Sequence, residues 1–280
     1  MPFARVRALL DLVVDLCLPA SCPTCGARLN EGGTRFCGRC LATIRLVASP
    51  MCTRCGVPFA SAIEDHLCGH CARKPPAFRG ARASAHYEGT ILESLHRLKF
   101  GGDAVQAPAL ASLLGPPLAA LADAHADGPR VACSPRARIF PSPLHVALEA
   151  LPYYDRIVPV PLHPRRLRER GFNQAHLLAA EARRAGVLSP RARLDPSALA
   201  RVRETRSQTK LSRTERLENL RGAFTARPDR VRGCTVLLVD DVMTTGATLE
   251  ACTRALRRAG ARSVDAVVVA RVGGPTARPP

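Results

Sequence analysis

The chain has 280 residues, 46% of them hydrophobic but only 4% aromatic, which allows one sizeable aliphatic core and a smaller module beside it. Its formal net charge of +18, almost all from arginine with lysine only at 74, 99 and 210, points to anionic partners, either nucleic acid or phosphorylated small molecules. No stretch approaches the eighteen or so uninterrupted apolar residues of a membrane span, so an integral membrane protein is excluded and a cytoplasmic location is expected.

The abundant Ala, Arg, Pro and Gly also match the codon bias of a GC-rich genome, so charge alone does not select nucleic acid. At the N-terminus, Val6, Leu9, Leu10, Val13 and Val14 form an apolar stripe that predicts an amphipathic helix over 1–19. Asp11 and Asp15 interrupt the apolar run that an export signal needs.

Residues 20–75 carry four C-x-x-C pairs: Cys22 and Cys25, Cys37 and Cys40, Cys52 and Cys55, Cys68 and Cys71. In a reducing cytosol disulfides do not persist, and this spacing lets two thiolates of one tight turn reach the same ion. Gly26, Gly38, Gly56 and Gly69 lie beside these turns, as zinc knuckles require. Four pairs supply two closed, structural Cys₄ zinc sites. Sequential pairing is expected, giving a double zinc ribbon, with an interleaved arrangement left open by the sequence. His66 and His70 read as surface residues, and Cys17, Cys133, Cys234 and Cys252 as small hydrophobes.

Residues 76–280 read as an α/β domain. Ile91, Leu92, Leu95 and Leu98 predict a helix that ends at Lys99-Phe100-Gly101-Gly102-Asp103. Residues 126–144 are rich in Pro, Arg and Ser without periodicity, a loop insertion or linker. Ile157 to Leu162 predict a strand, with Arg165, Arg166, Arg168 and Arg170 in the loop after it. Val236 to Val239 form a buried parallel strand. Asp240 and Asp241 then stand where the chain leaves it, the ligand edge of an open α/β sheet. Two carboxylates there can accept hydrogen bonds from a vicinal diol or hold a magnesium ion through water. Thr244, Thr245, Gly246 and Thr248 form a hydroxyl-rich turn before a helix carrying Leu249, Cys252 and Leu256, whose N-terminus favours an anion. Gly260 is its expected stop, and Val264 to Ala270 the next strand. An ordinary turn capped by Asp and Thr would look similar over a shorter window.

The full string VLLVDDVMTTGATL closely resembles the phosphoribosyl pyrophosphate (PRPP) signature of type I phosphoribosyltransferases. That resemblance implies that Asp240 and Asp241 take the ribose hydroxyls while Thr244, Thr245, Gly246, Ala247 and Thr248 cradle the 5′-phosphate. PVPLHPRRLRERGFNQA, YEG, LKFGGD and RVRETRSQTKLSRTERLENLRGAF extend the likeness to the ComF family of competence-associated phosphoribosyltransferase-like proteins, which includes the GntX group. The match covers most of the chain except 126–144. It implies a type I phosphoribosyltransferase-like parallel sheet flanked by helices, behind a small zinc-ribbon module. Val160, Pro161 and Leu162 would open the pyrophosphate-side loop, with Arg165 to Arg170 facing pyrophosphate. The segment from Arg201 to Asn219, with Arg203, Gln208, Arg213 and Arg216, would be the loop that closes over the site; a solvated charged helix would have a similar composition.

Two readings follow. One is an enzyme that displaces pyrophosphate from PRPP with magnesium. The other is a protein that senses PRPP, or that holds single-stranded DNA for the DNA-uptake machinery. Against DNA, the zinc module carries only Phe36 and Phe59 for base stacking.

Overall fold

The computed structural model describes residues 21–29, 35–60, 64–125, 154–204 and 219–273. The helix expected over 1–19, the insertion expected over 126–144 and most of the Arg201 to Asn219 segment lie outside them.

The domain is organised around a five-stranded sheet in the order β1 (Gly80–His86), β7 (Ser263–Arg271), β6 (Thr235–Met243), β2 (Arg156–Pro159) and β3 (Arg193–Leu194). All four neighbouring pairs are parallel. Parallel neighbours need crossovers, and the crossover helices cover both faces, which is why the central strands are continuous apolar runs. Val236, Leu237, Leu238 and Val239 are each fully buried. On one face lie the short α8 (Pro228–Val231), α9 (Ala247–Arg258) and a two-stranded antiparallel pair, β4 (Leu199–Arg201) with β5 (Phe224–Ala226). On the other lie α3 (Gly89–Phe100), α4 (Gln106–Ser112), α5 (Gly115–His125) and α7 (Gln174–Arg184).

The helix expected from Ile91, Leu95 and Leu98 is α3, with all three buried and Gly101 as its C-cap. In α9 the expected Leu249, Cys252 and Leu256 are buried. Glu250 sits in the first turn and Arg257 and Arg258 in the last, each complementing the helix dipole.

Two expectations are corrected. Asp240 and Asp241 do not follow the strand but belong to it, since β6 stays paired with β7 through Asp240↔Val268 to Met243↔Arg271. β7, nine residues long like β6, continues to offer backbone partners past the apolar run. Arg165, Arg166, Arg168 and Arg170 lie on a short helix, α6 (Pro164–Arg170), and not in a loop. Pro164 pre-sets the first helical turn, and the His163 ring accepts from the Arg165 amide as its cap.

The cysteine module straddles the free edge of β1. Two short helices, α1 (Gly38–Ala42) and α2 (Gly69–Arg73), follow Cys37 and Cys68, whose sulfurs cap them. Leu46 forms an antiparallel bridge to Ala85, the Val47 amide donates to Ser84 at 2.9 Å, and the Ala81 amide donates to Arg54 at 2.9 Å. An otherwise unpaired sheet edge is thereby covered. Cys22 and Cys40 pack with the α3 face of the sheet, and Cys52, Cys55 and Cys71 with the α9 face. The small side chains of Ala81, Ala83 and Ala85 permit this close approach. Two buried arginines tie the second half of the module down: Arg82 donates to the Thr53 carbonyl at 3.0 Å, and Arg271 to the Cys55 carbonyl at 2.8 Å.

Gly56 is the tightest contact. Its φ is +66° and an added Cβ would stand 2.5 Å from the Ala81 carbonyl oxygen. Gly56→Ala is therefore expected to lower stability by about 2 kcal/mol or more, the left-handed backbone alone costing roughly 1–2 kcal/mol. A chemical-denaturation midpoint unchanged from the parent would contradict this. Among the described residues, no helix is long and apolar enough to cross a membrane.

Candidate functional site

Within each cysteine tetrad the four sulfurs lie within 4.8 Å of one another, Cys22, Cys25, Cys37 and Cys40 in one and Cys52, Cys55, Cys68 and Cys71 in the other. The pairing is thus sequential. Tetrahedral zinc–thiolate bonds of about 2.3 Å put sulfurs roughly 3.8 Å apart. Cys55 and Cys68 stand 3.9 Å apart and Cys25 and Cys37 3.4 Å, so the donor sets fit zinc. Backbone amides aim at the sulfurs as knuckles require: Cys55 and Cys68 donate to Cys52, and Cys71 to Cys68, at 3.3–3.5 Å. Burial pushes the Cys71 thiol up to about 12, with repulsion from Cys52 and Cys68 adding to it. A divalent cation is what lets four such thiolates coexist. Neither His66, which stacks on Phe59 at 4.1 Å, nor His70 belongs to a tetrad.

The two aspartates are consecutive in β6, so they project to opposite faces. Asp241 turns toward the α3 face, where Lys99 Nζ stands 3.0 Å from its carboxylate and both side chains are largely shielded. Asp240 turns toward α9, with Arg201 and Cys252 as its electrostatic neighbours. The Asp241 amide donates to the Asp240 carboxylate at 2.9 Å. Although Asp240 is only half-buried, the dense protein around it raises its carboxyl from 3.8 to about 8, the Asp241 charge adding to the shift and Lys99 and Arg201 opposing it.

That shift has a sign. A carboxyl with a raised folded-state pKa supports the fold fully below pH 4, and this support is lost as pH climbs through 8. Asp240→Asn keeps an oxygen for the Asp241 amide and never ionises. The variant is expected to melt higher than the parent at pH 8, with the difference shrinking as pH falls toward 4. Parallel melting curves for the two proteins across that range would refute the burial cost.

After β6 the chain turns at Gly246, whose φ is +79° and whose added Cβ would meet the Met243 side chain at 3.1 Å. This left-handed residue is the N-cap of α9. Ala247 and Thr248 therefore fall in the helix's first turn, where amides have no intrahelical acceptor. Thr245 Oγ1 accepts from the Ala247 amide at 3.4 Å. Beside this turn opens a cleft of about 620 Å³, within the range of small-ligand sites. Thr244 to Ala247 line it, together with Cys55, Cys68 and Lys74 to Pro76. Arg221, Arg254, Arg258 and Arg271 make it strongly basic. Glu250 holds the walls together, accepting from the Ala77 amide at 2.7 Å and from Arg254 at 2.6 Å.

The post-β2 residues come to the same sheet edge. The Val160 amide donates to the Val239 carbonyl at 2.9 Å, and Asn173 donates to the Val160 carbonyl at 3.0 Å. Val160 thus lies beside the carboxyl end of β6, where the aspartates stand, and Pro161 and Leu162 continue the chain from there. The structure separates the two candidate arginines. Arg170 is half-buried and within electrostatic reach of Asp241, whereas Arg165 is exposed and engaged by Glu169 and Glu204. Arg203 donates to the carbonyls of Asn219 and Arg221, both at 2.7 Å. Sequence reasoning assigned no role to Lys99, Lys74, Arg254 or Arg258. The signal was present for two of them, because lysine is rare in this arginine-rich chain and two of its three lysines lie here.

Comparison with known proteins matches residues 13–72 to the double zinc ribbon domain and residues 182–279 to the phosphoribosyl transferase domain. The chain is 33% identical over 251 residues to the DNA utilization protein YhgH of Escherichia coli, covering 89% of this chain and 96% of that one. It is 27% identical over 252 residues to competence protein F of Haemophilus influenzae, covering 89% and 96%. Competence protein ComFC of Bacillus subtilis is 28% identical over 245 residues, covering 85% and 84%.

Proposed function

This chain belongs to the ComF/GntX family of competence-associated, phosphoribosyltransferase-like proteins, and from that premise we propose that it binds PRPP, or a related ribose 5-phosphate, and transfers the phosphoribosyl group to an acceptor. The observation that carries the reading is the convergence, at the carboxyl ends of β6 and β2, of an aspartate pair, a glycine-initiated helix N-terminus and the chain leaving β2 at Val160. Asp240 and Asp241 accept from the ribose hydroxyls. Thr244, Thr245, Gly246, Ala247 and Thr248 hold the 5′-phosphate against the helix dipole. The turn at Val160, Pro161 and Leu162, with Arg170, faces pyrophosphate.

In the reaction the anomeric carbon–oxygen bond breaks, the pyrophosphate departs with the bonding pair, and the acceptor's nucleophilic atom bonds to that carbon while its proton passes to solvent. Positioning and charge compensation suffice, without a covalent nucleophile. Two adjacent carboxylates suit a hard cation held through water, and magnesium arriving with PRPP would supply positive charge beside the leaving group. Calorimetry with PRPP, with and without magnesium, tests the reading, and no heat of binding in either condition would end it.

A second reading is favoured by the basic cleft and by the names of the relatives, which speak of competence and DNA utilization. In it the same site senses PRPP, or the chain holds single-stranded DNA, without transfer. DNA affinity resting on phosphate contacts would fall steeply with salt.

A further inference from the structure

The cleft beside the Thr244 to Ala247 turn is larger than a phosphate requires. At about 620 Å³ it has the size of a pocket that encloses most of a drug-sized ligand. Asp240, Asp241, Val160 and Arg170 are not among the residues that line it. It is therefore not the compartment proposed above for the ribose and the pyrophosphate, and of those groups it borders only the phosphate turn. The cleft instead follows α9. Ala247, Glu250, Ala251, Arg254 and Arg258 line it and fall on one face of that helix. At about 1.5 Å per residue, Arg258 stands roughly 16 Å along the axis from Ala247. A phosphate at the helix start leaves most of that length unfilled.

The lining is of two kinds. Lys74, Arg221, Arg254, Arg258 and Arg271 are cationic, whereas Phe78, Leu220 and Phe224 are apolar. Among the described residues that line the cleft, Glu250 is the sole carboxylate, and it already accepts from the Ala77 amide at 2.7 Å and from Arg254 at 2.6 Å. Five cations outweigh that carboxylate together with a zinc held by four thiolates, so the cleft favours a second anionic group beyond the first. Arg271 is fixed in place, 5% exposed and donating to the Cys55 carbonyl at 2.8 Å. Whatever fills the cleft while the turn holds a 5′-phosphate must hang from that phosphate. We propose that the cleft receives the nucleotide half of a nucleoside diphosphoribose, its phosphate on the cations and its nucleoside against the apolar lining, while the other half places its ribose 5-phosphate at the turn and the aspartates. This rests on the phosphoribosyl reading and names a substrate class for it: a ribose whose 5′-phosphate carries a nucleoside 5′-phosphate.

ADP-ribose is the probe, compared with ribose 5-phosphate by calorimetry on the full-length, zinc-loaded protein. ADP-ribose is expected to bind about tenfold or more tightly, since a second phosphate gains charge-assisted hydrogen bonds. The double variant Lys74→Ala, Arg258→Ala should lose most of that advantage and keep the parent's affinity for ribose 5-phosphate. Both side chains are exposed and lie outside the turn and β6, and Arg258 is farther from the turn than the screening length of about 8 Å at physiological salt. Zinc content and melting temperature equal to the parent's establish that the variant is folded. Equal affinity of the parent for the two ligands, or an ADP-ribose advantage untouched in the double variant, overturns the cleft site. In either case ribose 5-phosphate still binds and the phosphoribosyl reading stands; if ribose 5-phosphate itself fails to bind, that reading falls first.

Discussion

Cys52→Ala is expected to halve the zinc content, from two ions per chain to one, and to abolish the basic cleft with it. Cys52 is fully buried, its sulfur receives two backbone amides, and its tetrad packs directly into the core with Phe78, Ala81 and Ala83. Structural zinc is worth about 10–16 kcal/mol to isolated zinc-finger peptides, so a segment this small does not hold its shape without the ion. Cys55 and Cys68 also line the cleft beside the Thr244 to Ala247 turn. Losing the second zinc should therefore lower the melting temperature and weaken ribose 5-phosphate binding together. Cys25→Ala makes the contrast: Cys25 is exposed and its tetrad packs on the α3 face, so one zinc is lost while the cleft survives. Metal analysis, thermal unfolding and ligand binding on the two variants decide the matter. Equal effects on ligand affinity would show that the second ribbon is not a functional wall.

The double substitution Asp240→Asn, Asp241→Asn should reduce PRPP affinity by at least a hundredfold. Charge-assisted hydrogen bonds contribute about 1.5–3 kcal/mol each, and two are removed at once when affinity is read above pH 8, where Asp240 is ionised as well. The variant separates binding from folding, because the two aspartates differ in their surroundings. Asp241 already has a cation, Lys99, at 3.0 Å, and its loss leaves that ammonium without its carboxylate. Asp240 is held against its own ionisation by the dense protein around it and the Asp241 charge, so asparagine there relieves the fold at neutral pH. Binding and stability should thus move in opposite directions for Asp240→Asn alone, the pattern of a residue kept at a cost to the fold for what it holds. PRPP titrations of both single variants and the double variant read this out. Undiminished affinity in the double variant would remove the aspartates from the site.

Much of this protein was legible before any coordinates. The four C-x-x-C pairs specify metal because thiolates two residues apart share one turn. VLLVDDVMTTGATL specifies strand, carboxylates and a glycine turn into a helix because each is a local pattern of period, charge and glycine. The helix of Ile91, Leu95 and Leu98 and the strand after Gly260 follow from the same periodicities. The misplacements were also local. Whether Asp240 and Asp241 end a strand depends on how far β7 runs alongside, and whether Arg165 and Arg170 sit on a loop depends on the His163 cap that starts their helix.

What only the tertiary structure decided is which distant groups meet. Sequential pairing of the cysteines, left open by spacing alone, is settled by which turns face each other. The ribbons grip the β1 edge from both faces because alanines there let backbone approach backbone. Lys99 reaches Asp241 across 142 positions, and Cys55, Lys74 and Arg258 line one cleft only when the second ribbon is folded beside α9. Local chemistry is written in neighbouring residues and can be read there. A site assembled from several crossovers has no local signature, because its distances are set by the packing of helices on a sheet.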